Sequence, residues 1–236
     1  MKRMQILKNI FWVAGAPWGT LGNAYLIKYS QGYILLDCSR PNALPNIIRN
    51  LDYWNIEKEK ISHILLTHGH DDHVGEAAYF KEIGAKIVVG KADAQLLKLG
   101  TLGEENPCTN HVMPPVVPDI LIGEDRTIEI AELTFTIHCV PGHTDGSLIY
   151  LLNMENQLIL FAGDMFYIEG KYGEEVLTGW KGDLSYNSKK LGESFKKIYA
   201  KKYAPDIVLT GHGIPRFGKD AECIKMAYRY YLKNDR

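Results

Sequence analysis

No stretch of the chain holds the roughly 18 or more consecutive apolar residues that a membrane-spanning helix requires, which excludes such a helix. Only four cysteines are present, Cys38, Cys108, Cys139 and Cys223, and no pair has CxxC spacing. That pattern argues against a disulfide framework and a thiolate metal site, and suits reduced thiols inside a cell. Neither sign of charge is in excess, with 27 Lys+Arg against 28 Asp+Glu, so no bulk field favours nucleic acid or an anionic membrane as partner. No export signal is expected in this stretch either: Lys8 and Asn9 interrupt the chain before "IFWV", leaving less than the roughly 7–15 apolar residues of a signal core. The expected location is the cytoplasm, and the expected partner is a small molecule.

What is present is an ordinary globular composition, 46% apolar and 23% charged over 236 residues, enough for a full hydrophobic core. Short β-rich runs open the chain: "NAYLIKY" and "YILLD" flank Gln31-Gly32 and read as a hairpin. Leu44, Ile47, Ile48 and Leu51 share one helical face that ends near Trp54. A buried strand "ISHILLT", a helix from Gly75 to Ile83, a strand "KIVV" and a helix around Ala92 to Leu99 closed by Gly100 follow. Thr101 to Pro118 lacks periodicity and reads as a connection between two halves, about 1–118 and 119–236, of a single domain. The second half repeats the alternation with "RTIEI", "LTFTIHCV", "SLIYLL", "QLILFAG", an irregular stretch from Met165 to Asn187, a helix from Ser188 to Lys202, "DIVLT" and a last helix. Leu191, Phe195, Ile198 and Tyr199 form the apolar stripe of the Ser188 helix. Trp12 and Trp18 suit either core or a homodimer surface.

One feature decides the functional reading. Four apolar runs end in a small residue or threonine and are followed at once by a ligand-type side chain: "ILLT" by His68, "CVPG" by His143, "ILFAG" by Asp164 and "IVLTG" by His212. Sites in open α/β sheets form beyond the carboxyl ends of strands, so four such ends would deliver their side chains to one point. The stretch "THGHDDHVG" adds His70, Asp72 and His73 beside His68. A solvated polar loop would explain this cluster alone but not the three other strand ends. Imidazoles and carboxylates without thiolates suit a divalent transition metal, and seven ligands exceed one tetrahedral ion. Two ions about 3.5–4 Å apart that share a carboxylate fit the count. Thr67 and Asp71 are expected to orient ligating imidazoles. His63 and His138, inside strands, read as hydrogen-bonded structural residues, and His111, in the connection, as exposed to solvent.

"HGHDDH", "PGH" at His143, "AGD" at Asp164 and "TGHG" at His212 resemble the metallo-β-lactamase superfamily, whose pattern is HxHxDH followed by His, Asp and His. The resemblance covers nearly the whole chain. It implies an α/β fold, a four-layer αββα sandwich of two similar halves with the site on one edge. By the same resemblance His68, His70 and His143 hold one metal, Asp72, His73 and His212 the other, and Asp164 bridges. The cofactors implied are two divalent ions, zinc first, with manganese or iron as alternatives. The expected chemistry is hydrolysis by a metal-bridging hydroxide, with Asp72 handling the proton.

Members of this superfamily cleave thioesters, lactones, β-lactams and phosphodiesters, so the fold does not choose the reaction. The short tail after His212 and the sequence "GDMFYIEGKYG" depart from the glyoxalase II pattern. Neutral charge disfavours the tRNA-processing nucleases, and true β-lactamases differ at the Asp164 position. Lactonases fit better, sharing a tyrosine three residues after the bridging aspartate. Here that is Tyr167, which could donate a hydrogen bond to a substrate oxygen. Met165, Phe166, Tyr167, Tyr172, Trp180 and Tyr186 make the neighbouring stretch a candidate substrate wall, favouring a small ester, lactone or thioester with an apolar part. Other readings are a phosphodiesterase, a sulfur dioxygenase using one iron on His68, His143 and Asp164, and a non-catalytic metal-binding module.

Overall fold

The computed structural model describes residues 3–16, 21–169, 175–218 and 221–235, and Trp18 and Tyr172 lie outside them. The first sheet has seven strands in chain order: β1 (Met4–Leu7), β2 (Ile10–Ala14), β3 (Ala24–Lys28), β4 (Tyr33–Leu36), β5 (Ile61–Leu65), β6 (Lys86–Gly90) and β7 (Ile120–Ile122). Its first four strands are antiparallel hairpins, including the expected one. From β4 onward neighbours are parallel. Parallel neighbours need long crossovers. Helix α1 (Leu44–Tyr53) supplies the first; α2 (Asp71–Val74) and α3 (Ala77–Glu82) the second; α4 (Ala94–Leu99) and the connection the third. Gly100, at φ 71°, closes α4 in the left-handed conformation that a glycine tolerates best.

The second sheet runs β15 (Arg216–Phe217), β14 (Ile207–Thr210), β11 (Gln157–Gly163), β10 (Leu148–Met154), β9 (Leu133–Cys139), β8 (Arg126–Ile130). Helix α5 (Ser188–Ala200) crosses between β11 and the parallel β14, and α6 (Ala221–Asn234) packs beside α5.

Three apolar clusters explain the layering. Trp12, Tyr25, Ile34, Leu65 and Val88 of the first sheet meet Phe135, Tyr150, Phe161 and Leu209 of the second between the sheets. Alternate residues of the same strands, such as Phe11, Leu26, Leu35 and Ile64, face Ile47, Leu51, Phe80 and Leu97 of the helices. On the far side Leu151, Leu160 and Val208 meet Leu191, Phe195, Ile198 and Ala227 of α5 and α6. Central strands buried on both faces are why their sequences are continuous apolar runs rather than alternating ones. The result is the expected αββα sandwich.

Four expectations need correction. The helix expected over Gly75 to Ile83 is two short helices, and the first begins at Asp71, where two acidic residues suit a helix N-terminus. The change of sheet comes after Ile122 rather than at 118, because β7 pairs with β6. The stretch from Met165 to Asn187 contains a small hairpin, β12 (Tyr167–Glu169) with β13 (Glu175–Leu177). Tyr199 is 47% exposed, so the stripe of α5 is Leu191, Phe195 and Ile198. Trp12, by contrast, is core.

Candidate metal centre

The strand ends of both sheets meet at one edge, and one ligand-bearing end of each sheet is tied to the other sheet. The Tyr150 hydroxyl on β10 donates to the Leu66 carbonyl at 2.8 Å and the Leu148 amide to the Thr67 carbonyl at 2.7 Å, just before His68. Reciprocally, the Tyr25 hydroxyl of β3 and the Asn23 amide group donate to the Thr210 carbonyl, each at 2.9 Å, just before His212. The chain must also pass close to Asp164 at Gly211, where an added Cβ would lie 1.9 Å from Oδ1 of that residue.

Six of the seven expected ligands are buried; Asp72 is partly open, its side chain 24% exposed. Atoms of His68, His70 and His143 fall within metal-ligand reach of one another, as do those of His68, His73 and Asp164, and those of Asp72, His73 and His212. His143 Nε2 lies 3.2 Å from His68 Nε2 and 3.1 Å from His70 Nδ1. Asp164 Oδ1 is 3.3 Å from His73 Nε2, and its Oδ2 is 3.4 Å from His212 Nε2 and 3.5 Å from His143 Nε2. His212 Nε2 is 3.1 Å from Asp72 Oδ2.

The outer nitrogens of these rings show where the protons are. His143 Nδ1 meets the Trp180 carbonyl at 3.0 Å, and His70 Nε2 meets Asp183 Oδ2 at 2.8 Å; both partners only accept, so those nitrogens donate. Thr67 Oγ1 gives its one proton to Asp37 Oδ2 at 2.7 Å and must therefore accept from His68 Nδ1 at 3.1 Å. The inner nitrogens of His68, His70 and His143 point at one another, and wherever the outer nitrogen holds the ring's single proton the inner one is a lone pair that a cation stabilises. Burial, followed by repulsion from neighbouring imidazoles, depresses His68 far below its ordinary value and His143 to about 3, so protons do not fill that space.

The other half of the site has the opposite electrostatics. Burial opposes charge on His73 and His212, but Asp164 and Asp72 outweigh it, raising His73 well above its usual range and His212 to about 10. Burial likewise opposes charge on Asp72, yet His73 and His212 lower it to about 2. The carboxylates therefore demand positive charge, while His73 Nε2 and His212 Nε2, 3.3 Å apart, cannot comfortably both carry protons. Asp164 Oδ1 and His212 Nδ1 are buried without a hydrogen-bond partner. Lone pairs, ionised carboxylates and an unpartnered oxygen converging in one place fit a pair of divalent cations.

Three residues not singled out from the sequence hold this arrangement. Asp37, at the end of "YILLD", accepts from His73 Nδ1 at 2.9 Å, from the Thr67 amide at 2.7 Å and from its hydroxyl. Its place directly after a strand is the same signal as the other ligand ends carry. Asp183 orients His70, and burial is outweighed by that contact and by Ser185, holding its carboxyl down at about 2. Asp93, buried after β6, accepts from the Gly69 amide at 2.8 Å, the Gly146 amide at 2.7 Å and the Thr144 hydroxyl at 2.7 Å, joining the His70 loop to the His143 loop. Nothing local in the sequence marks Asp183 or Asp93, because their partners are far along the chain.

Thr67 orients His68 as expected, whereas Asp71 does not touch a ligating imidazole: its Oδ1 is bonded to His111 Nδ1 at 2.7 Å. His111 is consequently a half-buried wall residue rather than a solvated one. Tyr167 stands beside the site but gives its proton to Asp164 Oδ2 at 2.7 Å and accepts from the Trp180 amide at 3.3 Å. Burial and the Asp164 charge raise its hydroxyl well above the usual range. His138 is structural, between Asp125 and Tyr203, and His63 bonds to Ser62. A cavity of about 630 Å³ opens onto the ligands and is lined by Arg40, Pro107, Asn110, His111, Tyr167, Glu169 and Trp180. Phe166 and Met165 are core residues instead, and Tyr186 does not line this cavity.

Comparison with known proteins agrees with this geometry. The chain is 25% identical over 199 residues to the uncharacterized protein YobT of Bacillus subtilis, covering 81% of this chain and 82% of that protein. It is 34% identical over 112 residues to a hydroxyacylglutathione hydrolase of Pseudomonas aeruginosa, 47% of this chain but only 35% of that enzyme. Among solved structures, the subclass B3 metallo-beta-lactamase BJP-1 of Bradyrhizobium japonicum superposes with a TM-score of 0.77 at 25% identity, over 100% of this chain and 92% of that one. Residues 17–212 match the metallo-beta-lactamase superfamily, a span that holds all seven converging side chains. With its sandwich, its ligand order and this match in agreement, the chain belongs to the metallo-beta-lactamase superfamily of metal-dependent hydrolases.

Proposed function

We propose that this protein is a dinuclear metallo-hydrolase of a small ester, lactone or thioester that carries an apolar part. The observation that carries the reading is the inward set of imidazole lone pairs beside two ionised carboxylates. His68, His70 and His143 would hold one divalent ion, Asp72, His73 and His212 the second, and Asp164 would lie between them. Zinc is the first choice for such a nitrogen and oxygen set, with manganese or iron as alternatives. Bound there, two divalent ions supply Lewis acidity and lower the pKa of a water to about 7.

The chain's own groups would do the rest. Asp72, the most exposed of the ligands, stays ionised and can take a proton at Oδ1 or Oδ2 during attack. Tyr167 can turn its hydroxyl from Asp164 toward a substrate oxygen as charge develops there. Pro107 and Trp180 in the cavity wall favour an acyl or lactone substrate over a bare phosphate. A relative named for hydrolysing hydroxyacylglutathione supports the same end of the superfamily.

Elemental analysis of protein purified without chelators, followed by assays on lactones, thioesters, esters and phosphodiesters, tests this. About two zinc or manganese ions per chain and turnover of an acyl substrate are expected. The substitution Asp164→Ala should lower metal content and turnover together. About one iron per chain, with oxygen consumption on persulfides, would replace the proposal by a dioxygenase on His68, His143 and Asp164.

A further inference from the structure

One wall of the cavity presents aromatic side chains, those of Trp180 and His111, that are not themselves among the converging ligands. Trp180, 37% exposed, packs its ring edge-on against His70 with centroids 5.6 Å apart, and also meets the His111 ring at 5.1 Å with planes 37° apart. His111 comes from the connection after α4, far from Trp180 in sequence, yet its ring does not swing freely. Asp71, a carboxylate only 18% exposed, accepts from His111 Nδ1 at 2.7 Å. A half-buried acidic group next to the metal-facing residues is thus bonded to a wall ring, fixing two π systems side by side one ring beyond His70. The Trp180 backbone is fixed as well, its carbonyl by His143 and its amide by Tyr167.

We infer that Trp180 and His111 form a subsite that stacks a planar aromatic ring of the substrate, with Asp71 as the positioning residue for the imidazole. The inference rests on the hydrolase reading and narrows it to aromatic esters, lactones or thioesters. An aliphatic wall would accept any apolar group according to its area, whereas paired π faces gain extra attraction from a ring placed with offset or edge-on geometry. A phenyl group should therefore be preferred over a cyclohexyl group of similar shape, although the saturated ring is the more hydrophobic.

The test uses the zinc-loaded protein and two thioesters, S-methyl 3-phenylpropanethioate and S-methyl 3-cyclohexylpropanethioate. The expected ratio of kcat/KM is about two- to tenfold in favour of phenyl. It should fall toward one in W180L and in H111L, with zinc content measured for each. Asp71→Ala should raise KM for the phenyl compound more than it lowers kcat, and Asp71→Asn, which keeps an acceptor oxygen, should restore part of the ratio. A ratio near one in the unaltered protein, or a preference that survives W180L, overturns the inference. Should neither thioester turn over, calorimetric binding of 3-phenylpropanoate and 3-cyclohexylpropanoate decides: a phenyl preference lost in W180L sustains the subsite while the hydrolase reading fails, and equal binding overturns it.

Discussion

At the scale of single residues, the site works by orienting four of its five imidazoles through their outer nitrogens. A ring nitrogen can face a cation only if the proton sits on the other nitrogen, and here Asp183, Thr67, Asp37 and the Trp180 carbonyl hold those protons outward. Asp37 has the most to lose, since one carboxylate serves His73 and both donor groups of Thr67. Asp37→Ala would leave a buried amide and an imidazole proton without partners. We expect a loss of about 2–4 kcal/mol in chemical denaturation and a 10–100-fold weaker affinity for the metal held through His73. Retention of two tightly bound metals in that variant would show that His73 is held by something other than Asp37. Gly211 is the backbone counterpart: any side chain there collides with Asp164.

At the scale of elements, strand ends supply the ligands and other elements hold the ends in place. Asp93 is the brace between the loops after β5 and β9, and Asp93→Ala should reduce occupancy of the His68, His70 and His143 position before that of its neighbour. Spectroscopic titration with cobalt should show one strong site in that variant, against the two expected of the unaltered chain. A second brace ties β9 to α5, where Asp125 receives bonds from Lys197 at 2.9 Å, His138 at 2.7 Å and the Cys139 amide at 2.9 Å. Burial opposes its charge, but Lys197 and His138 win and lower the carboxyl to about 2. Because its folded pKa lies below the unfolded value near 3.9, Asp125 contributes stability in full above about pH 4 and loses it as pH falls toward 2. Acid unfolding of Asp125→Asn should accordingly be shallower than that of the unaltered chain between about pH 4 and 2, and identical curves would dismiss the brace.

At the scale of the molecule, the site lies across two sheets, so metal binding and sheet packing are linked. His68, His70, Asp72 and His73 follow β5 of the first sheet, while His143, Asp164 and His212 follow β9, β11 and β14 of the second. A ligand present at about a thousand times its dissociation constant stabilises the folded state by about 4 kcal/mol. For a chain of this size that corresponds to a Tm shift on the order of 10 °C. Chelation should lower Tm by about that much and zinc should restore it; an unchanged Tm would place the ions on a preformed scaffold that binds them weakly. Among the described residues no helix is long and apolar enough to cross a membrane, as the lack of long apolar runs led us to expect.

What the sequence by itself determined was whatever depends on neighbours along the chain. Continuous apolar runs marked the central strands, Gly100 marked the end of α4, and a ligand directly after each of four strands marked the site, because strand direction fixes where the next residue emerges. Composition and spacing likewise separated a histidine and carboxylate centre from a thiolate one. Only the tertiary structure decided the partners of those ligands, since Asp183 meets His70 and Asp93 meets Gly146 across distances in sequence that no local pattern spans. It also moved Asp71 from the ligands to His111, and His111 from solvent to the cavity wall. The physical reason is that a hydrogen bond depends on position in space, and two loops from different sheets acquire a shared position only when the sheets pack.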